Sequence, residues 1–150
     1  MRAYNFLPSE FALSDIALRR LRISRLRDLN DPFELLASNM EGDKRFLSGM
    51  ASWKNEINEM FGLLCFSRSW ENPVLWSHYG DKHHGICLGF DIREELVEPV
   101  RYVGDRIPVI FEDDNPENGL AKSFVLDLLR TKYEHWIYEE EVRVFVTLDH

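Results

Sequence analysis

The amino-acid sequence predicts an α+β fold over residues 1–150, a single domain with a mixed or largely antiparallel sheet and several short helices. Short apolar runs alternate with segments whose apolar residues recur every three or four positions, and no regular strand–helix–strand rhythm connects them. Hydrophobic residues form 45% of the chain and aromatic residues 13%, which predicts a packed core and argues against disorder. No repeat or Gly/Ser linker divides the chain.

Helix and strand signals alternate through the first half of the chain. Asn72-Pro73 favours a capped helix that Gly80 stops, because asparagine accepts hydrogen bonds from free amides and proline suits the first helical turn. The elements predicted here are a helix beginning at 8–10 with Leu13, Ile16 and Ala17 on its apolar side, a short strand over 21–26, a long helix over 46–60 ended by Gly62, a strand over 63–67 and a short helix over 74–79.

The second half of the chain ends in a predicted strand over 141–148. Because strand side chains alternate, Val142 and Val144 share one face of it, and Glu141 and Arg143 share the other. The elements predicted before it are a strand over 86–90, a short helix capped by Asp91 and reaching about residue 97, strands over 100–103 and 108–111, an acidic loop over 112–118 and a helix over 120–133.

A polar motif, Asn30-Asp-Pro-Phe-Glu, precedes the long helix. With Asp31 as the N-cap, Pro32 falls at the first helical position and Glu34 at the third, an acidic analogue of the capping box. Asn30 takes no part in that cap, and a helix N-terminus can hold an anion through its backbone amides. Asn30 is therefore a candidate ligand-binding residue, and a purely structural cap is the alternative.

The net charge of −8 is unevenly distributed along the chain. Residues 1–30 hold six arginines against three acidic residues, which gives +3, so the rest of the chain carries −11. An acidic chain does not favour nonspecific binding to nucleic acid. The arginines near the N-terminus could hold a phosphate, and the alternative is that they are solvated surface charges.

Missing signatures exclude several classes of protein. The chain has no GxxxxGK[ST], GxGxxG, GxSxG or zinc-finger motif, which argues against P-loop ATPases, Rossmann dehydrogenases and serine hydrolases. No apolar run has the length of a membrane span, and the N-terminus does not resemble a signal peptide. Cys65 and Cys87 lie in apolar runs outside any CxxC pair, which predicts buried, reduced thiols and a cytoplasmic location.

The segment Trp76-Ser-His-Tyr79 is the first candidate site. Four successive residues on a short helix point all around its axis, so they cannot all be core. His78 is a candidate general acid, base or hydrogen-bond donor because imidazole titrates near neutral pH, and the alternative is a histidine that satisfies buried backbone groups. His83 and His84 add two imidazoles, but their spacing matches no zinc motif, so no metal site is predicted.

The segment Trp136-Ile-Tyr-Glu-Glu-Glu-Val-Arg143 is the second candidate site. Successive glutamates entering a strand are costly if their face is buried and unpaired. Glu139, Glu141 and Arg143 are predicted to share one strand face, which favours an ion-paired surface lining a site. The alternative is a solvated strand edge whose ion pair contributes little. The aromatic residues of the segment, Trp136 and Tyr138, favour the pocket.

Five motifs follow one another along the chain: Asn30-Asp-Pro-Phe-Glu, Leu64-Cys-Phe-Ser, Asn72-Pro-Val-Leu-Trp-Ser-His-Tyr-Gly, His84-Gly-Ile-Cys-Leu-Gly-Phe-Asp and Lys132-Tyr-Glu-His-Trp-Ile-Tyr-Glu-Glu-Glu-Val-Arg. In this order they resemble a bacterial domain-of-unknown-function family, catalogued as number 2971, over nearly the whole chain. The resemblance implies no established reaction. Members of the family continue past the last motif, which implies that a chain ending at His150 is a C-terminally shortened or minimal member.

The layout also resembles that of ADP-ribosyltransferase domains, which combine an early basic or polar strand residue, a middle aromatic or histidine element and a late-strand glutamate. This resemblance implies Arg25, His78 with Tyr79, and Glu141 as the counterparts. It further implies that the glutamate stabilises positive charge developing on a ribose and that an aromatic ring stacks on nicotinamide. The likeness is one of layout and not of motif.

Three hypotheses about function follow. The first is an enzyme acting on a nucleotide-like substrate by ADP-ribosyl transfer or NAD cleavage, the second is a noncatalytic ligand- or protein-binding module, and the third gives the motifs purely structural roles. The sequence identifies no cofactor and no oligomeric state. The predicted catalytic residues are His78, Tyr79, Glu141 and Arg143, and the predicted ligand-binding residues are Arg25, Asn30, Trp76, Trp136, Tyr138 and Glu139.

Overall fold

The computed structural model of the protein describes residues 1–25, 28, 55, 57–115 and 120–148. Its regular structure comprises seven strands, three α-helices and three short 3-10 helices inside these ranges, and residues 57–60 are also helical. The strands are β1 (Arg2–Leu7), β2 (Phe61–Ser67), β3 (Ile86–Asp91), β4 (Glu98–Pro99), β5 (Arg101–Val103), β6 (Thr131–Tyr133) and β7 (Glu141–Thr147). The α-helices are α1 (Ser9–Leu18), α2 (Pro73–Tyr79) and α3 (Lys122–Leu129), and the 3-10 helices are Glu94–Leu96, Glu112–Asp114 and Glu134–Glu139.

Five of these strands form one antiparallel sheet in the order β3-β1-β2-β7-β4. Strand β7 pairs with β2 along its whole length, from Ser67 opposite Glu141 to Phe61 opposite Thr147. Strands β5 and β6 form a separate parallel pair. Helices and a largely antiparallel sheet are thus combined, and the predicted α+β fold class is confirmed.

Strands β1 and β2 are paired at one position only, where Tyr4 lies opposite Ser67. Further along β2, the place of β1 is taken by the backbone of Ser24, which exchanges two hydrogen bonds with Leu63 at 2.9 and 2.8 Å. A Cβ on Gly62 would lie 2.1 Å from Ile23 Cγ2, so the close approach of this segment depends on glycine. The two strands therefore separate from Tyr4 and Ser67 onwards and leave a gap in the sheet.

One face of the sheet packs against α3 and the helical residues 57–60. Leu63 of β2 packs here against Leu129 and Ile57, and Phe145 of β7 joins them. Cross-strand partners share a face of an antiparallel sheet, so Ser67 and Glu141 lie on this side too. The opposite face carries a second core cluster built on Ala3, Phe66 and Val142.

Several predicted elements are confirmed. The strands expected at 63–67, 86–90 and 141–148 are β2, β3 and β7, and the helix expected at 74–79 is α2. Asn72 caps α2 by accepting a hydrogen bond from the Val74 backbone N–H at 2.9 Å. The helix predicted from 8–10 is α1, but its buried residues are Ala12 and Asp15, whereas Leu13 and Ile16 are exposed within the described part of the chain.

Other predicted elements differ from the structure. The N-terminal strand β1 was not predicted, and the strand expected at 21–26 is reduced to the single bridge at Ser24. The helix expected over 120–133 ends at Leu129, because Thr131–Tyr133 pair with β5 as a strand. Residues 108–110 form no strand, and Phe111 makes an isolated bridge to Leu120.

Three further predictions either differ from the structure or concern residues that it does not describe. The turn after Asp91 is a 3-10 helix, Glu94–Leu96, without a side-chain cap. Neither cysteine forms a disulfide in the described part of the chain, and each is partly exposed rather than buried. The capping motif at 30–34 and most of the helix predicted over 46–60 lie outside the described residues.

Candidate functional site

A cavity of about 300 Å³ occupies the gap between β1 and β2. Its apolar wall comes largely from these two strands, including Phe6 and Leu64. Its charged residues are Glu141 of β7, Lys132 and Glu139 from the segments before β7, and Arg22 and Asp28 from the segment after α1. The polar residues of interest among its lining are Tyr4, Asn5, Ser67, Tyr79, Lys132, Glu139 and Glu141.

A buried lysine joins the two glutamates of the cavity wall. The ammonium group of Lys132 lies 2.5 Å from Glu139 Oε2 and 3.1 Å from Glu141 Oε2. Lys132 and Glu139 are each 4% exposed, and Glu141 is 7% exposed. The same ammonium lies 4.9 Å from the centroid of the Trp136 ring, a distance at which the ring face attracts a cation.

Arg143 completes this network from behind the cavity wall. Its side chain is 1% exposed, and its guanidinium donates to both carboxylate oxygens of Glu141 and, at 2.7 Å, to the backbone carbonyl of Leu129. Burial alone would raise the pKa of Glu141, but Arg143 and Lys132 outweigh burial and lower that pKa to about 2. Glu141 is therefore ionised at neutral pH.

Two tyrosines bond to this network. The hydroxyl of Tyr79 donates a short hydrogen bond to Glu139 Oε1. The hydroxyl oxygen of Tyr102 accepts the backbone N–H of Glu141 at 2.8 Å. Burial raises the pKa of Tyr102 to about 12, so its hydroxyl is neutral at physiological pH.

Local backbone geometry brings the two glutamates together. The 3-10 helix Glu134–Glu139 ends at Glu140, whose φ of 45° is left-handed, and β7 begins at the next residue. This turn allows Glu139 and Glu141 to contact the same ammonium group although only Glu141 lies in a strand. The prediction that Glu139, Glu141 and Arg143 share a strand face is therefore wrong for Glu139.

A row of side chains crosses the sheet on the cavity side. Tyr4 in β1 is paired with Ser67 in β2, and Ser67 is paired with Glu141 in β7. Paired residues of antiparallel strands project from the same face. All three residues line the cavity, so three strands contribute one residue each to its wall.

The buried network carries two positive and two negative charges, which balance. Removing ionised groups from water is costly even when they are paired, and apolar residues of similar size often stabilise a fold as well or better. A solvated strand edge, the alternative interpretation of this segment, does not agree with the burial of Glu141 and Arg143. At the cavity, the network presents carboxylate oxygens, an ammonium and a phenol hydroxyl. These groups are able to bind polar ligands.

The predicted site residues fall into two groups. Tyr79, Glu139 and Glu141 line the cavity, and Arg143 contacts Glu141 without lining it. His78 is exposed and lies outside the cavity lining, with its ring centroid 6.3 Å from that of Tyr138.

His78 also belongs to a cluster of rings on the outer side of the cavity wall. Its centroid lies 6.1 Å from those of both Trp136 and Tyr79, and the Trp136 and Tyr138 centroids are 6.0 Å apart. Asn72 links this cluster to α2, because its amide also donates to the backbone carbonyl of Tyr138 at 3.0 Å. We call His78, Trp136 and Tyr138 the outer aromatic cluster.

The remaining predicted ligand-binding residues lie elsewhere. Trp76 packs edge-on against Phe6 with 5.1 Å between ring centroids, and its indole N–H donates to the backbone carbonyl of Trp70 at 2.7 Å. Arg25 donates to the backbone carbonyl of Asn58 at 2.8 Å and does not line the cavity. Asn30 lies outside the described residues.

Lys132, Tyr102 and Ser67 are not among the predicted site residues. The glutamates and aromatic rings of the Lys132 motif point to a site, but Lys132 does not, because a lysine is by default a solvated residue. A lysine shortly before three glutamates was the available signal. Tyr102 and Ser67 carry no comparable signal, since their contacts to Glu141 depend on strand pairing across the chain.

Two further structural observations bear on ligand class. Within the described residues, no three His, Cys, Asp or Glu side chains gather in a way that could hold a metal ion. In the same part of the chain, no helix combines the length and apolarity needed to cross a membrane.

Residues 75–144 match the family described as Protein of unknown function (DUF2971). This segment of 70 residues, just under half of the chain, is therefore similar to the DUF2971 family. The predicted family resemblance is confirmed over residues 75–144, and its extent over nearly the whole chain stays a prediction. The DUF2971 segment contains the whole buried charged network, whereas Tyr4 and Ser67 on the other side of the cavity precede it. No curated protein and no solved structure matches the chain.

Proposed function

We propose that this protein is an enzyme that acts on a nucleotide-like substrate in the cavity between β1 and β2, by cleaving NAD or by transferring its ADP-ribosyl group. The observation that carries the proposal is the ionised, buried Glu141 at the cavity wall. A carboxylate fixed in a partly dry site stabilises positive charge that develops next to it.

Glu141 suits an electrostatic role better than proton transfer. A general acid or base works best with a pKa near the working pH, and a pKa of about 2 is far below it. Arg143 and Tyr102 hold Glu141 through its carboxylate and its backbone N–H, so we assign them positioning roles. Lys132 holds Glu139 and Glu141 at the same wall.

The cleavage step balances without a cofactor. The bond between C1′ of the ribose and the nicotinamide nitrogen breaks, and nicotinamide leaves with the bonding electrons, which neutralise its ring. The ribose becomes cation-like opposite Glu141. Water, or a nucleophilic group of an acceptor molecule, then bonds to C1′ and loses its proton to solvent.

Nicotinamide release from NAD tests the proposal. Purified protein is incubated with NAD, with and without cell extract as a source of acceptors, and nicotinamide is measured by chromatography. We expect release by the wild type, and at least a hundredfold loss in Glu141→Gln, the scale seen when one transition-state stabilising group is removed.

Glu140→Gln is the matched control, because Glu140 is the exposed neighbour of Glu141 and does not line the cavity. It should retain the wild-type rate. Thermal unfolding of both variants shows whether each is folded at the assay temperature. Absence of nicotinamide release from the wild type under both conditions would contradict the proposal.

The outer aromatic cluster favours a second candidate function, a noncatalytic ligand- or protein-binding module. His78, Trp136 and Tyr138 lie close together outside the cavity lining. This candidate predicts that a ligand or partner raises the melting temperature without being converted, and that His78→Ala weakens binding. Turnover of NAD that is unaffected by His78→Ala would argue against it.

We also propose that residues 1–150 form one domain of a bacterial, cytoplasmic protein. The sheet pairs β1 near the N-terminus and β7 near residue 147 with the same strand, β2, which supports one folding unit. Cys65 and Cys87 form no disulfide among the described residues, which fits a reducing compartment. A single cooperative transition seen by two independent probes would support the one-domain assignment, and two separate transitions would contradict it.

A further inference from the structure

A basic segment follows α1 and borders the cavity. Residues 19–25 hold four arginines and no acidic residue. The segment meets β2 in antiparallel orientation, where Ser24 bridges Leu63. Arg22, two residues before this bridge, lines the cavity together with Leu21 and Ser24. Positive charge is therefore concentrated where this segment reaches the cavity.

Arg22 keeps its donors available, unlike two other arginines of the segment. Arg20 Nε lies 4.0 Å from Asp15 Oδ1, and Arg25 donates to the backbone carbonyl of Asn58 at 2.8 Å. Arg22 is exposed, and within the described part of the chain its guanidinium makes no hydrogen bond or ion pair. A guanidinium presents its N–H donors as a planar fork that matches phosphate and carboxylate oxygens. An unpaired guanidinium at a cavity wall therefore favours a ligand with an anionic group.

The other charges of the cavity wall do not oppose an anion beside Arg22. The buried network is balanced, because two positive groups face two carboxylates. Asp28 also lines the cavity, and within the described residues its carboxylate forms no ion pair with Arg22. Asp28 weakens the attraction for an anion, but the four arginines of residues 19–25 outnumber it.

Arg22 and Glu141 belong to segments that meet β2 at opposite ends of the gap in the sheet. Glu141 is paired with Ser67, where β1 and β2 meet, whereas Arg22 precedes the bridge to Leu63. Ser67 and Leu63 are four residues apart on β2, which is about 13 Å at the usual rise of a strand. A ribose ring with its 5-phosphate is shorter than this gap. Both groups can therefore lie within it, with the phosphate away from Glu141.

We infer that Arg22 binds the phosphate group next to the ribose of the substrate, while the reacting ribose carbon lies near Glu141. The inference rests on the proposed function for the substrate class and deepens it by naming the residue that requires a phosphate. Arg22 is a specificity-determining residue, because two parallel N–H donors of its guanidinium can bond two phosphate oxygens at once.

Three small ligands test the subsite directly. D-ribose 5-phosphate, D-ribose and inorganic phosphate are titrated separately into the wild-type protein at one ionic strength and followed by NMR chemical shifts. We expect the phosphate ester to bind about tenfold more tightly than ribose, a ratio that one hydrogen bond to a charged group can supply. Equal affinity for these two, or no binding of the ester, would overturn the inference. Inorganic phosphate that binds as tightly as the ester would overturn the assignment to a sugar phosphate.

Arg22→Gln should lose the preference for the ester, and Arg19→Gln is the matched control. Arg19 is exposed and lies in the same segment, so its replacement removes the same charge, but it does not line the cavity. Arg19→Gln should keep the wild-type preference. Equal losses in the two variants would mean that general charge attracts the ester, and would overturn the role of Arg22.

Asp28→Asn tests the same subsite in the opposite direction. Removing this carboxylate from the cavity lining should tighten binding of the ester and leave binding of ribose unchanged, because only the ester is charged. Weaker binding of the ester in Asp28→Asn would contradict an anion at this place. Thermal unfolding shows that each variant is folded, and the wild-type comparison stands without any variant.

The two proposals can fail separately. Preference for ribose 5-phosphate without nicotinamide release from NAD would support the phosphate subsite and contradict the proposed reaction. Nicotinamide release without any preference between the ester and ribose would support the reaction and contradict the subsite.

Discussion

Arg143 holds the carboxylate of Glu141, two residues before it on the same strand, through two hydrogen bonds. The Nε–Oε1 distance is 2.8 Å and the Nη2–Oε2 distance is 3.2 Å. Both side chains are buried, and β7 lies inside the sheet between β2 and β4. The pair is thus shielded from solvent. In this buried environment each charge depends on the other for compensation.

Replacing Arg143 should destabilise the protein strongly. Arg143→Leu leaves Glu141 with only part of its compensating charge, and breaking a buried pair in this way costs about 3–5 kcal/mol. Urea unfolding measures the loss in free energy of unfolding. Arg101→Leu, at an exposed position of β5, should change it by less than about 0.5 kcal/mol. Equal effects of the two substitutions would contradict the structural role of Arg143.

The pKa of Glu141 predicts a specific loss of stability in acid. The pKa falls from an ordinary 4.5 to about 2 in the folded protein. A lowered folded-state pKa contributes stability that is present above pH 4.5 and disappears as the pH falls toward about 2. Urea unfolding across this range should show a smaller acid-induced loss in Glu141→Gln than in Glu140→Gln. Identical pH profiles for the two variants would rule out this contribution.

Two glycines of the same region should respond differently to alanine. A Cβ at Gly85 would lie 2.4 Å from the backbone oxygen of Leu7, which cannot move without disturbing β1. We expect Gly85→Ala to cost about 1–3 kcal/mol of the free energy of unfolding. At Gly89 the nearest atom is the Arg2 guanidinium at 3.2 Å, the end of a flexible exposed chain. Gly89→Ala should therefore be the milder change, and the reverse order in thermal unfolding would contradict this packing.

Asn72 makes two separable contributions to stability. Its carbonyl oxygen caps α2, and its amide donates to the Tyr138 carbonyl. Asn72→Ala loses both interactions and should cost about 1–3 kcal/mol, whereas Asn72→Ser keeps a good capping side chain and should lose about 1 kcal/mol. Chemical denaturation of the two variants measures the difference. Indistinguishable losses would mean that the cap contributes little here.

The sequence predicts the strands and helices whose signals are local. Strand β7 alternates valines with other residues, and α2 begins with Asn72-Pro73 and ends at Gly80. Strand β1 lacks such a signal, because Ala3 and Asn5 have low strand propensity and only pairing with β3 holds them extended. Pairing distant in sequence likewise decides that residues 131–133 form a strand, since β5 provides their partner.

The candidate site is predictable only in part: the sequence points to Tyr79, Glu139, Glu141 and Arg143, but not to Lys132. Glu139 and Glu141 could be singled out because consecutive glutamates before a strand are costly unless they are paired. Their partner Lys132 could not, because a lysine side chain is usually solvated and its burial depends on tertiary packing. The gap that forms the cavity depends on how β1 and β2 separate, which no local pattern encodes.

The single pairing between β1 and β2 divides the sheet into two parts that should open at different rates. Strands β1 and β3 are paired along six positions, and β2 and β7 along seven, but one pair joins these two ladders. Proteins tend to open locally where few contacts join two parts. Backbone amides of the β1–β3 ladder should therefore exchange with deuterium faster than those of the β2–β7 ladder. Hydrogen exchange followed by NMR measures both. Equal exchange rates in the two ladders would contradict this division of the sheet.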